Sequence, residues 1–348
     1  MAVSLFDAVQ LDSLRRALRI DPLAVRRLRL NLFKRFAADE VTLASFPAAK
    51  QIELHPLTVT QRCDSAIDGA TKLLLRTADG LPLETVILRP RTGRATVCVS
   101  SQVGCAAACA FCATGRMGIA RNLSTAQILD QVVHAGQILA TEGRPLRNVV
   151  FMGMGEPFHN EDAVYEALDR LIDREWFGLS PLKLCVSTVG IPDAMRRFAE
   201  RFPTVRLALS LHSARQDVRE HFIPLAKKYS LDELKRTLTD VRPTLYGEVM
   251  IEYLLLAGIN DSTDDAAALI EWLDGVNAHV NLIPYNAIAE APQLVASDPA
   301  TRQAFAQTLK NAGLTTTTRY SLGNDIAAAC GQLVQKNARP ARSASDGF

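Results

Sequence analysis

From about residue 94 onward the chain alternates short apolar runs with amphipathic stretches, and this alternation constrains its fold more than any other feature. Strand-like runs fall at 95–100, 148–153, 183–188, 205–211, 249–256 and 279–285. Helical periodicity lies between them, near 124–140, 161–173, 192–200, 231–240, 263–275 and 300–312. A Thr-rich strand at 314–319 and a helix from 324 close the series. Six strand–helix units in succession predict a parallel sheet with right-handed crossovers. No Gly-x-Gly-x-x-Gly follows the first strand, and Gly, Glu, Ser and Asn recur at strand ends. That rim is where a (β/α) barrel builds its site. The expected fold is therefore α/β, a partial (β/α)6 TIM-like barrel over 94–335 that carries the catalytic machinery. A small N-terminal α+β accessory region precedes it at 1–93, with helical spacing over 14–36 and strands at 72–75 and 85–88. The polar segment 336–348, rich in Pro, Ser and Ala, reads as a mobile tail.

Composition narrows the class. The 348 residues are 48% hydrophobic and 22% charged, an ordinary globular balance. No apolar run approaches the ~18 residues needed to span a bilayer, and residues 1–10 lack a basic segment ahead of an apolar one. No membrane association and a cytoplasmic location are expected. The net charge is only +2, but residues 11–36 hold eight Arg and Lys against Asp12 and Asp21. Such a block could hold phosphates or be the solvated face of a helix pair.

Seven cysteines stand at 63, 98, 105, 109, 112, 185 and 330. An odd count in a chain large enough for its own core argues against a disulfide scaffold. Cys105, Cys109 and Cys112 fall within eight residues, directly after the first strand. Thiolates suit zinc or iron–sulfur clusters, and structural zinc ordinarily takes four ligands. Three thiolates on a cubane cluster leave one iron free to bind a cofactor. Ala106, Ala107, Ala108 and Ala110 are small enough to wrap a cluster, and Phe111 could shield it.

The spacing of these cysteines resembles the radical S-adenosylmethionine superfamily. Further motifs narrow the resemblance: CVSSQVGCAAACAFCATG, FMGMGEP, VSTVGIP, LALSLHSARQDVREHFIPLAKKY, NLIPYN and AACGQL. Together, over roughly 66–335, they resemble the RlmN/Cfr family of RNA adenine methyltransferases. The resemblance implies one 4Fe–4S cluster on Cys105, Cys109 and Cys112, and two S-adenosylmethionine molecules per turnover. It implies that Cys330 takes a methyl group from one of them, and that a radical derived from the other activates this methyl for addition to adenine. Cys98 then resolves the adduct by attacking the Cys330 sulfur, leaving a transient disulfide. It further implies Glu84 as proton acceptor, and Gly155, Glu156, Ser187, Ser210, Leu211, His212 and Asn286 as contacts to S-adenosylmethionine. The implied partners are 23S ribosomal RNA, transfer RNA as a further candidate, and a low-potential electron donor such as flavodoxin. A monomer is expected, since each chain holds a whole site.

Taken alone, Cys98 and Cys330 read as packing residues, His212 as a structural histidine and Glu84 as a strand carboxylate. Cys63 and Cys185 match no family position. Arg116, Arg121 and Arg319 are weak phosphate candidates beside the arginines of 15–35. Ala287 stands where the family commonly has proline. Segment 320–324 leans toward the carbon-8 branch and Pro157 toward the carbon-2 branch, with carbon 2 favoured. The competing readings are a radical enzyme with a changed substrate, a non-catalytic iron–sulfur RNA-binding protein and a zinc module. An unstacked adenine is expected as target, because its edge is otherwise out of reach.

Overall fold

The computed structural model describes residues 2–44, 46–90 and 93–333; the expected tail at 336–348 lies outside them. The N-terminal part opens with β1 (Val3–Ser4), α1 (Ala8–Ala17) and α2 (Pro22–Arg29), which runs on through a π-helical turn at Leu30–Lys34. Asp7 caps α1 by accepting from the amides of Val9 and Gln10, and Pro22 starts α2 where its missing N–H costs nothing. After α3 (Asp39–Leu43) come β2 (Ile52–Glu53), β3 (Leu57–Asp64), β4 (Ala70–Thr77) and β5 (Pro82–Leu88).

The second part follows the expected alternation. β6 (Ala95–Cys98), β7 (Gln102–Gly104), α4 (Ala113–Arg116) and β8 (Ile119–Asn122) surround the cysteine segment. Next come α5 (Thr125–Thr141), β9 (Leu146–Phe151), α6 (Glu161–Ile172), β10 (Leu184–Thr188), α7 (Pro192–Arg201) and β11 (Arg206–Ser210). The rest is α8 (Gln216–Phe222), α9 (Leu231–Val241), β12 (Val249–Leu255), α10 (Thr263–Trp272), β13 (Ala278–Pro284), α11 (Pro299–Asn311) and β14 (Thr315–Thr318).

The main sheet runs β14-β13-β12-β11-β10-β9-β6-β5-β4-β3. Strands from β6 to β14 are parallel to their neighbours, and β3 to β5 extend the sheet as an antiparallel meander. The order never reverses, so there is no switch point of the doubly wound kind. The crossovers wind in one sense around a partial barrel, whose edge strands β3 and β14 are not paired to each other. The sheet also continues without interruption across the boundary expected at residue 93.

Side chains alternate between two faces along each strand. On β10, Leu184 and Val186 are fully buried, while Cys185 and Ser187 line the lumen, as does Lys183 just before the strand. The main apolar core lies between sheet and helices, and a second cluster of Phe222, Ile223, Leu254, Ile283 and Tyr285 packs against the cysteine segment.

The expected helix from 324 does not form. A single 3-10 turn, Asn324–Ile326, is followed by left-handed Ala327 at φ 50°. Alanines favour helix, but the backbone here is drawn outward to other partners. Lys72 Nζ donates to the Ala327 carbonyl at 3.1 Å, and Asn286 Nδ2 donates to that of Cys330 at 3.1 Å. Such contacts override propensity.

A charged clasp ties the N-terminal part to the barrel. The two ring nitrogens of His55 lie 2.6 Å from Asp130 and 3.0 Å from Asp39. Asp130, at 0% exposure, also accepts from the Leu57 amide. Burial pushes the imidazole down, but the bonds and charges of Asp130 and Asp39 outweigh it and hold His55 up at about 9. A folded-state value above the unfolded one stabilises fully below the unfolded value and is lost as pH rises through about 9. We therefore expect the stability lost in His55→Ala, about 3 kcal/mol at pH 6 for a buried pair left unpartnered, to shrink between pH 6.5 and 9. Urea unfolding of both proteins across that range checks it.

Candidate active site

The three clustered cysteines sit on a loop held between the β7–β8 hairpin and the C-terminal turns. The Cys105 amide donates to Gly118, the Ala110 amide to Phe222 and the Ala113 amide to Gly331, at 2.7–2.8 Å. Ala108 takes a left-handed φ of 53° and lets the loop curl so that all three cysteines line one cavity of about 140 Å³. Burial pushes the Cys105 thiol up to about 12 and raises Cys109 and Cys112 as well. Thiolates there need a cationic partner. The segment's small, buried Ala107 and Ala113 leave space beside the sulfurs. This donor set fits three thiolate ligands of a cubane cluster.

The sheet's C-terminal rim supplies the opposite wall. Gly155 adopts φ 102°, and a Cβ there would lie 2.7 Å from the Gln102 side chain. Glu156 follows, 3% exposed, accepting from the amides of Phe158 at 3.1 Å and Val189 at 2.9 Å. Burial outweighs these bonds and raises its carboxyl to about 7. Ser187 and Ser210 both donate to Glu252 Oε2, at 2.7 and 3.2 Å. Glu252, adjacent to Ser210 in the strand register, is buried in the same wall and was not singled out from the sequence. A glutamate inside the apolar run of β12 was the available signal.

His212, with φ 61°, accepts from the Leu254 amide at Nδ1, which leaves the proton on Nε2. Burial and then Arg219 push its value down to about 3, so the ring is neutral and packs edge-on against Phe111. Arg219 is itself 1% exposed and bridges the Leu211 and Val189 carbonyls, cross-linking two rim loops.

Not every sequence candidate faces the cavity. Leu211 is fully buried behind it. Asn286 instead donates to Ser321 Oγ and to the Cys330 carbonyl, and so positions the Cys330 turn. Cys330 itself lines this cavity and a second one of about 450 Å³, on the other side, which also holds Cys98, Cys185 and Arg319. All seven cysteines are free thiols. Burial, then the neighbouring Cys330, pushes the Cys98 thiol up to about 12 against the pull of Arg319. Glu84 is placed elsewhere. It faces a third cavity with Cys63, 3.5 Å from Lys72 Nζ. Of the arginines, Arg121 is paired with Asp79.

A thiol triad at the mouth of a partial barrel, facing a rim of glycine, serine and carboxylate, defines a radical S-adenosylmethionine enzyme. The Radical SAM superfamily model matches residues 99–270. A solved radical SAM methyltransferase from Sphaerobacter thermophilus superposes with TM-score 0.89 and 36% identity, covering 96% of this chain and 99% of that one. A probable RNA methyltransferase of Rhodopirellula baltica is 55% identical over 97% of this chain and 89% of its own length. The probable dual-specificity RNA methyltransferase RlmN of Frankia alni is 47% identical over 83% of this chain and 70% of its own. The chain belongs to the RlmN/Cfr family of radical SAM RNA methyltransferases. It is an S-adenosylmethionine-dependent enzyme acting on RNA, and its family works with a 4Fe–4S cluster. No helix among the described residues is long and apolar enough to cross a membrane.

Two outcomes are expected from this geometry. A carboxyl raised to about 7 can hold an ammonium only once ionised, so if Glu156 meets that group of S-adenosylmethionine, affinity of the reconstituted holoenzyme should rise several-fold from pH 6 to 7.5. Isothermal titration checks this, and Glu156→Gln should flatten the dependence. Removing the cation in Arg319→Met should slow iodoacetamide labelling of Cys98 several-fold at pH 8, read by peptide mass spectrometry.

Proposed function

We propose that the protein methylates carbon 2 of an adenine in 23S ribosomal RNA, with transfer RNA as a further substrate, through a methyl group carried on Cys330. The observation that carries this reading is the position of Cys330. It lines both the cavity of the thiol triad and the cavity that holds Cys98, so one residue borders the proposed cofactor side and the proposed substrate side.

Cys105, Cys109 and Cys112 would hold the cluster. Gly155, Glu156, Ser187, Ser210 and His212 would line the S-adenosylmethionine site, with Leu211 and Asn286 supporting it from behind. When bound, the cluster and its S-adenosylmethionine supply the one-electron chemistry that opens a methyl C–H bond. The chain's own residues do the rest. The Cys330 thiolate displaces S-adenosylhomocysteine from a separate donor molecule and keeps the methyl, so two molecules are used per turnover. Once the carbon is joined to the base, the Cys98 thiolate attacks the Cys330 sulfur. An S–S bond forms as the C–S bond breaks, the electron pair stays on the carbon, which takes a proton from water to become the methyl group, and a two-electron thiol reductant restores both thiols. Asn286 keeps Cys330 at the junction throughout.

The proton leaving the attacked carbon needs a base. The geometry favours Cys98 over Glu84, because Glu84 lies in the third cavity, which Ala327 helps to wall, paired with Lys72. A carbon-8 product is the second reading, supported by Tyr320, Ser321 and Leu322, which line the Cys98 cavity and resemble that branch. We take the enzyme to be a cytoplasmic monomer reduced by a low-potential donor such as flavodoxin. Residues 1–93 would contribute RNA contacts, and residues from 94 onward the catalytic unit.

The test is nucleoside mass spectrometry of ribosomal and transfer RNA from cells lacking their own family member. Expression of this chain should produce 2-methyladenosine, and the Cys330→Ala form none. Appearance of 8-methyladenosine would select the second reading. Absence of both, with S-adenosylmethionine still cleaved, would overturn the ribosomal assignment.

A further inference from the structure

The end of the barrel opposite the cluster carries a second feature. Arg94 immediately precedes β6, Arg147 is the second residue of β9, Lys183 immediately precedes β10 and Arg206 begins β11. These four strands are adjacent and parallel. Their N-terminal ends therefore form one rim, and the four cations stand side by side on it. Arg94, Arg147 and Arg206 are exposed and Lys183 is half-buried.

Among the described residues, none of the four side chains makes a hydrogen bond or ion pair. Several surface arginines are compensated, Arg89 by Glu142, Arg196 by Asp240, Arg197 by Glu161 and Arg201 by Asp169, whereas exposed Arg19, Arg27, Arg116 and Arg174 have no ion pair among the described residues but do not stand together on adjacent strand ends. On the N-terminal helices, Arg15 and Arg16 share Asp12, and Arg26 reaches Glu175. Glu248, exposed just before β12, is the acidic residue nearest the rim along the strand register, and it pairs with none of the four. The crowding is felt at Lys183, whose ammonium is pushed down first by Arg147 and then by burial, Arg206 and Arg94. Four uncompensated like charges are costly in the free protein and are relieved by a polyanion.

The rim is also a mouth. Lys183 and Arg206 line the 450 Å³ cavity whose deeper wall holds Cys185, Cys98 and Cys330. Its volume lies within the roughly 300–1,000 Å³ of pockets that take a small organic group such as a base. Tyr320, 69% exposed, stands on the same cavity. An exposed aromatic ring among cations is the combination that reads single-stranded RNA, with phosphates on the charges and a base stacked on the ring.

We propose that RNA docks on this rim, with its phosphates on Arg94, Arg147, Lys183 and Arg206 and a base on Tyr320, so that the target adenine enters through the N-terminal mouth of the barrel toward Cys98 and Cys330. The proposal rests on the reading of Cys330 as the methyl carrier. It places the main RNA contact on the barrel rather than on the arginine-rich helices.

The test uses reconstituted holoenzyme and a fluorescein-labelled RNA hairpin with an adenine-bearing loop, titrated at several salt concentrations. In Lys183→Gln/Arg206→Gln the slope of log affinity against log salt should shrink by about one per charge removed, with binding weaker on the order of tenfold. Tyr320→Ala should weaken binding at least about fivefold, and Tyr320→Phe should restore it. Cluster absorbance and S-adenosylmethionine affinity should match wild type, which separates docking from folding. Unchanged slope and affinity in these variants, with loss instead in Arg26→Gln/Arg27→Gln, would overturn the proposal. The two readings fail separately. Rim variants that methylate with unchanged KM for RNA sink the rim alone, whereas wild type that binds RNA through the rim yet forms no methyladenosine sinks the reaction alone.

Discussion

One backbone contact holds the chemistry of this protein together. The amide of Ala113, next to the last cysteine of the triad, donates to the carbonyl of Gly331, next to Cys330, at 2.7 Å. Thr114 Oγ1 reinforces it by donating to the Leu333 carbonyl at 2.7 Å. These bonds join segments more than two hundred residues apart. They make one wall of the short helix α4 and the C-terminal turns. The partial barrel provides a concave surface, and the segment this clasp holds borders two cavities within it.

Strand order explains how residues of unlike character share one lumen. Parallel strands in unbroken order place the inward residues of each strand in layers along the barrel. On β10 the layers run from Lys183 through Cys185 to Ser187. On β11 they run from Arg206 to Ser210, and β6 contributes Cys98 at mid-height. Charge therefore lies at the N-terminal end, soft sulfur in the middle, and hydroxyls with Glu252 and Glu156 at the C-terminal end. These layers would suit, in turn, the polyanion, the thiol exchange and the sulfonium cofactor of the proposed reaction. Buried Arg219 and neutral His212 meet neither end. They hold the rim loops by satisfying carbonyl and amide groups that the strand ends leave unpaired.

Much of this was legible along the chain because it is local. The parallel strands, their helices and the triad depend on periodicity and spacing, and the predicted segments fall on β6 and β9 to β14 within a few residues. The antiparallel meander was half visible. β4 and β5 carry apolar stretches, whereas β3 is mostly exposed and polar, so its pairing with β4 has no hydrophobic signature. The helix expected from 324 failed for a related reason. Its alanines speak for helix, but Lys72 and Asn286, both far away in sequence, claim its carbonyls.

The sequence by itself determined the class of fold, the family and the spacing of the cysteine triad. Strand and helix periods, ligand spacing and short motifs are properties of neighbouring residues. Tertiary structure decided which of those residues share a space. It placed Cys330 at the junction of two cavities and set Glu84 apart from Cys98, although both lie on adjacent strands. It set Asn286 against the Cys330 turn and gathered Arg94, Arg147, Lys183 and Arg206 from four separate segments onto one rim. Such placements depend on strand register and on contacts between distant segments, whose burial and charge energies no local pattern encodes.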